Sequence, residues 1–296
     1  MSATEFASTF IAGALGGAGC VACGQPFDTV KTKMQTFPEL YQKGGFARCM
    51  VSIYKTEGLR GLYAGSVGAL LTNCAENSIL FSARNSTIAG VAFLQKKNKN
   101  DLSNVEMAIA GSGAAFFSSI AVCPTEMIKN RMQATAELQK SGKFDFQGRI
   151  SVTSTVRQIL SEGYTAPFRG LVGTWGREMP GYLVLFYSFA FCQNLIAQQT
   201  SLSSGFNAAL SGGLAGGAYW LCMLPIDVVK SRQQVLSIGS KDPIRFVDCV
   251  KDIKRISGLR GFYAGLTPML IRTIPANGAL FSIIDVTTPL IESLFS

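Results

Sequence analysis

Three short charged motifs hold most of the chemistry this chain could do. Pro26-Phe-Asp28-Thr-Val-Lys31-Thr-Lys33-Met-Gln35, Pro124-Thr-Glu126-Met-Ile-Lys129-Asn-Arg131-Met-Gln133 and Pro225-Ile-Asp227-Val-Val-Lys230-Ser-Arg232-Gln-Gln234 align without a gap. In each, acid and base stand three apart and base and glutamine four apart, so on a helix all three share one face. One copy would be an ordinary ion pair on a solvated surface. Three copies at the ends of apolar helices predict more, because intramembrane charges point inward and find partners. Around a common axis each acid reaches the base of a neighbouring copy: Asp28 with Lys129, Glu126 with Lys230, Asp227 with Lys31. Gln35, Gln133 and Gln234, one turn further, are placed to bridge these pairs. Such a ring closes a central pore on one side. An ion pair near water contributes only about 0–1 kcal/mol, and more when partly desolvated, which suits a gate that opens repeatedly.

A second signature follows each motif: Glu57-Gly58 to Tyr63-Ala64-Gly65, Glu162-Gly163 to Phe168-Arg169-Gly170, and Ser257-Gly258 to Tyr263-Ala264-Gly265. Counting onward aligns Thr72-Asn73-Cys74-Ala75, Arg177-Glu178-Met179-Pro180 and Arg272-Thr273-Ile274-Pro275. A shared scaffold would look alike in all three copies. These segments differ, as residues serving an asymmetric ligand would. Glu76 falls three after Asn73, on about the same face. Charges in the middle of membrane helices default to function. Arg177 or Arg272 would grip a carboxylate by a two-pronged bond, and Glu178 and Glu76 would each take an ammonium. Mutual neutralisation, Arg177 with Glu178 or Glu76 with Arg272, is the bland alternative. An amino acid with a basic side chain supplies one carboxylate and two cationic groups. Trp220, five residues before Pro225, either faces the pore and packs on an aliphatic stem or faces lipid.

The elements that must hold these residues follow from composition and repeat. Only 15% of the 296 residues are charged, 48% are hydrophobic and 31 are Gly, against about 25% charged in soluble domains. Each repeat has an apolar, Gly-rich stretch leading into the Pro motif, then a polar, basic segment, then the Gly signature and a second apolar stretch. The leading stretches run over 6–36, 104–134 and 205–235, the trailing ones over 66–92, 170–197 and 265–292. Each can cross about 30 Å of hydrocarbon as a helix. The expectation is an all-α membrane protein of six transmembrane helices in three tandem repeats, 1–100, 101–200 and 201–296. Gly13 with Gly17, Gly212 with Gly216 and Gly213 with Gly217 read as close-approach pairs between helices.

Several classes are excluded or disfavoured. With no His, the Ser-His-Asp, Cys-His and H-E-x-x-H chemistries are unavailable. The net charge of +9 is scattered between apolar segments, which fits membrane flanks better than a nucleic-acid face. Cys20 and Cys23 form a C-x-x-C without a second pair, so helix packing is the expected role and no metal site is predicted. No nucleophile or phosphate-cradling loop accompanies Arg177, Glu178 and Glu76, so an enzyme is the weakest reading. The start of the chain shows no removable targeting segment.

The triplicated P-x-[DE]-x-x-[KR] pattern with its Gly signature resembles the mitochondrial carrier family over the whole chain. The resemblance implies a pseudo-threefold bundle with three short matrix helices, a matrix-side gate, and solute exchange across the mitochondrial inner membrane by alternating access. Within that family Ala75-Glu76-Asn77-Ser78, Arg177-Glu178-Met179-Pro180-Gly181-Tyr182 and Pro275-Ala276-Asn277-Gly278-Ala279-Leu280-Phe281 are similar to the ornithine carriers. That implies exchange of ornithine with lysine, arginine or citrulline. A carnitine/acylcarnitine carrier and a non-transporting carrier-fold scaffold are the alternatives. The chain departs from the family pattern at Ser257, where an acid is expected, at Ala64 and Ala264, and at the cytosolic gate, where Asp285 alone keeps an acid. The cytosolic gate is therefore expected to be weak. No cofactor is implied beyond cardiolipin as a bound lipid, for which Phe146-Gln147-Gly148 and Arg169-Gly170 resemble site signatures. One chain holds a complete cavity, so a monomer suffices.

Overall fold

The computed structural model describes residues 3–41, 44–98, 101–140, 151–199, 204–240 and 244–273, with 275, 276, 279, 283 and 287. Helices account for the regular structure of these residues: α1 (Ala3–Thr36), α2 (Pro38–Tyr41), α3 (Gly45–Leu62), α4 (Ser66–Gln95), α5 (Asn104–Lys140), α6 (Val152–Ser161), α7 (Leu171–Gln199), α8 (Ser204–Leu236), α9 (Phe246–Ser257) and α10 (266–273). Short 3-10 turns at Ala166–Phe168 and Leu259–Tyr263 precede α7 and α10. At 1.5 Å per residue, the motif prolines lie about 30–35 Å along α1, α5 and α8. The charged motif thus falls about one hydrocarbon thickness from each helix start.

Among the described residues, Val105–Thr135, Ala166–Gln199 and Leu210–Leu236 are long and apolar enough to cross a membrane. Helices α1 and α4 have the length but dilute their apolar residues with glycine and polar side chains. Consecutive long helices pack against one another, α4 on α5 and α7 on α8, and α1 returns to α8 to close the bundle. The short amphipathic helices seal one end. Cys49 and Ile53 of α3, Thr155 and Ile159 of α6, and Cys249 and Ile253 of α9 are buried one turn apart on the inner face.

The Gly signature has a geometric cause that repeats three times. Gly65, Gly170 and Gly265 adopt φ of 80°, 90° and 86°, a region that only glycine enters freely. Each also lies against the gate base of the next repeat. A Cβ on Gly65 would sit 3.0 Å from the Lys129 carbonyl, one on Gly170 3.4 Å from Lys230 Cγ, and one on Gly265 2.9 Å from Lys31 Cγ.

The glycine pairs of the leading helices do something other than expected. A Cβ at Gly17, Gly213, Gly216 or Gly217 would meet nothing within 4 Å, and Gly216 lines a cavity. Around a cavity the helix backbones stand apart, so small residues there give volume instead of contact. Close approach occurs elsewhere, at Gly24 against Arg272 and Gly181 against Tyr219. Asp285 of the cytosolic gate and Phe146, Gln147 and Gly148 lie outside the described residues.

Candidate functional site

The three motifs converge. Lys129 Nζ lies 2.7 Å from Asp28 Oδ2, Lys31 Nζ 2.6 Å from Asp227 Oδ2, and Lys230 pairs with Glu126. Every pair joins two repeats, and the three close a cycle. The ring is largely sheltered: its side chains range from 0% exposed at Lys230 and 1% at Asp227 to 15% at Glu126 and 18% at Lys129. Charge pairs so placed interact more strongly than on a surface but have lost their hydration, so the net contribution of each is modest.

The glutamines divide. Gln35 donates to Asp227 at 3.1 Å and so bridges one pair. Gln133 instead donates to the Thr29 hydroxyl at 3.2 Å. Gln234 accepts from Asn130 at 2.9 Å and donates to the Arg169 carbonyl at 3.3 Å. These two amides are spent on other groups of the neighbouring repeats, the Thr29 hydroxyl, the Asn130 amide and the Arg169 carbonyl, and bridge no gate pair.

Those cations form an upper layer absent from the sequence reading. Arg177 Nη1 donates to Asp227 at 2.7 Å, its Nη2 to Glu126 at 2.9 Å, and it also pairs with Glu178. Arg272 Nε lies 2.8 Å from Asp28 Oδ1, an ion pair whose angle leaves that N–H without a hydrogen bond. Each gate acid therefore meets a lysine of the next repeat and an arginine of α7 or α10. The Arg177–Glu178 neutralisation is present, but as one branch of a larger network; the Glu76–Arg272 pair is not formed.

Above this layer opens a cavity of about 340 Å³, within the size range of small-molecule sites. Its floor is Asp28, Lys31, Glu126 and Lys129, and its wall includes Asn73, Glu76, Arg177, Glu178, Trp220 and Arg272. All six nominated binding residues share this one space. Glu178 is committed to Arg177, whereas among the described residues Glu76 accepts only from the Tyr182 hydroxyl, at 3.3 Å. Trp220 faces the cavity and packs edge-on against Tyr219, with Lys31 Nζ 4.9 Å from its ring centre. A cation over an indole face is attracted by its quadrupole. Tyr182, Tyr219, Thr72 and Leu185 also line the space and were missed from sequence. Tyr182 stands four after Glu178, so helix spacing from that acid would have found it. Arg169, in contrast, is turned to Glu162 at 2.7 Å and to the Ser237 carbonyl at 3.2 Å, a structural role.

A threefold helical bundle with a polar cavity at its centre, floored by ion pairs exchanged between repeats, defines a membrane carrier of small solutes. The mitochondrial carrier protein family matches residues 2–91, 100–200 and 202–293, and the chain belongs to that family. It is 40% identical to mitochondrial ornithine transporter 1 of Rattus norvegicus over 94% of this chain and 93% of that one. It is 31% identical to the mitochondrial basic amino acids transporter of Homo sapiens, over 94% and 88%. It is 32% identical to a mitochondrial carnitine/acylcarnitine carrier-like protein of Arabidopsis thaliana, over 93% and 95%.

Proposed function

We propose that this protein exchanges basic amino acids, ornithine first among them with lysine, arginine or citrulline, across the mitochondrial inner membrane by alternating access, as a monomer and without chemistry on the solute. The observation that carries the reading is Glu76: a carboxylate in the cavity wall with no cation of the protein paired to it among the described residues. A mobile cation is its natural complement. The relatives named for ornithine and basic amino acids support the same solute class.

The two arginines differ in availability. Arg177 is 8% exposed and holds three carboxylates; Arg272 is 23% exposed and holds one, without a hydrogen bond. Arg272 is the easier to recruit. In this reading the solute carboxylate takes Arg272 from Asp28, and the α-ammonium takes its place on Asp28. The side-chain ammonium reaches Glu76 beside Tyr182, and the methylene stem lies toward Trp220. Asp28 then holds Lys129 less firmly, and the gate begins to open. Loading is thus coupled to unlatching because both compete for one carboxylate. Cardiolipin as a bound lipid remains part of the proposal.

The test is uptake of labelled ornithine into ornithine-loaded liposomes, challenged with unlabelled lysine, arginine, citrulline and carnitine. Strong competition by the basic amino acids, with Glu76→Gln losing dibasic uptake, is expected. Preference for carnitine, or full activity in Glu76→Gln, overturns the reading.

A further inference from the structure

Seven residues after each motif proline stands a second base, and in two of the three repeats it has its own acid partner at the short helix of the same repeat. In the first repeat Lys33 pairs with Glu57. In the second, Arg131 holds Glu162 by two prongs, Nη1 to Oε1 at 2.8 Å and Nη2 to Oε2 at 2.9 Å. In the third, the base is Arg232 and the acid position is Ser257. Arg232 is 6% exposed, yet its Nε and Nη1 have no hydrogen-bond partner. A buried guanidinium left short of acceptors is costly.

Ser257 occupies the same place in the fold as Glu57. A Cβ added to Gly61 would meet Glu57 Cβ at 2.3 Å, and one added to Gly261 would meet Ser257 Cβ at 2.7 Å. Gly58 and Gly258, directly after the two residues, share φ of 68° and 62°. What the third repeat lacks is only the anion. A phosphorylated serine has the reach of a glutamate, with four bonds from Cα to the charged oxygens in both side chains. It carries about −1.5 to −2 charge and three acceptor oxygens. Arg232 is unsatisfied through two of its nitrogens, which matches a phosphate better than a hydroxyl. The approach to Ser257 is basic and open: Lys254 and Arg255 are exposed and stand three and two residues before it. Charge patterns of this kind are what kinases read.

We propose that Ser257 is a phosphorylation site whose phosphate engages Arg232 and completes the third base–anion link. The Ser257 Oγ forms a bond to the terminal phosphorus of a nucleoside triphosphate; the anhydride bond to that phosphorus breaks, the nucleoside diphosphate leaves, and the hydroxyl proton passes to the kinase or solvent. A dianion at the end of α9 opposes the helix dipole, which alone would be destabilising. The full charge of Arg232, with Lys254 and Arg255 in the last turn, offsets the partial charge of the helix end. Modified, the third repeat ties α8 to α9 as the second ties α5 to α6; unmodified, it lacks that charged tie.

The test has two arms. Protein isolated from its own mitochondria with phosphatases inhibited is analysed by mass spectrometry for phosphate on Ser257. In parallel, Ser257→Glu and genetically encoded phosphoserine at this position are compared by melting temperature with Arg232 intact and in Arg232→Met. The expected result is modified Ser257 in the native protein, and a rise of about 2–4 °C that vanishes in Arg232→Met. Unmodified Ser257 throughout overturns the proposal. So does a melting shift that is absent, negative, or the same in both backgrounds.

Discussion

Arg177→Lys keeps the charge and removes the fork, so it isolates what the fork does. Arg177 serves Asp227, Glu126 and Glu178 at once from a side chain 8% exposed. A lysine ammonium on a shorter, unforked stem holds one of the three. Two charge-assisted hydrogen bonds are then lost, at about 1.5–3 kcal/mol each. The total is at least about 3 kcal/mol, and at about 2–4 °C per kcal/mol the melting temperature falls by about 6 °C or more. The same network is the floor against which the solute works, and a loss of 3 kcal/mol there corresponds to about a hundredfold in uptake. Both are measured on one preparation, by thermal denaturation in detergent and by initial uptake of labelled ornithine in liposomes. A variant that melts within 2 °C of the wild type and transports within threefold would refute the shared-clamp reasoning.

Other positions give sharper local tests. Gly265→Ala places a methyl 2.9 Å from Lys31 Cγ at a φ of 86°, so about 1–3 kcal/mol of stability is lost and the Lys31–Asp227 pair is displaced; thermal denaturation reads the first and uptake the second. Gly24→Ala sets a methyl 2.7 Å from Arg272 Nε, and the expected outcome is a raised KM for ornithine with little change in melting temperature. Burial pushes the Cys249 thiol from 9.0 up to about 11. The stability tied to that proton is fully present below pH 9 and is lost as pH rises through about 11. Alkylation of Cys249 should stay at background in the folded protein at pH 8 and become rapid in denaturant; rapid modification of the folded protein contradicts its burial.

The gate pairs were legible because they depend only on spacing along one helix and on threefold repetition. Asp28–Lys129, Lys31–Asp227 and Glu126–Lys230 need no knowledge of side-chain reach. The arginine layer was not legible for the opposite reason. Counting aligned Arg177 and Arg272 with Thr72, but whether a guanidinium rises into the cavity or descends to a gate acid depends on helix separation at that depth. The two-pronged grip expected for a solute is spent on Glu126 and Asp227 in this conformation. The glycines failed as packing signals for a related reason. Gly216 and Gly217 border open space, whereas Gly65 and Gly265 answer to backbone sign and to a lysine of another repeat. Ser257 stood out as a departure from the repeat, yet only the burial of Arg232 gives it a consequence.

The central claim is that the charge ring separates the cavity from the other side of the membrane and that solute releases it. Leu185 lines the cavity, and Ser231 borders a small void enclosed with the ring residues. Leu185→Cys and Ser231→Cys, each in a background with the native cysteines replaced, would be probed in liposomes with a membrane-impermeant thiol reagent added to either side. Without solute, the cysteine at 185 should react from one side only and the cysteine at 231 from neither. With ornithine on both sides, the cysteine at 231 should become reactive from the opposite side. Labelling of both positions from the same side, or a pattern that ornithine leaves unchanged, would contradict the account.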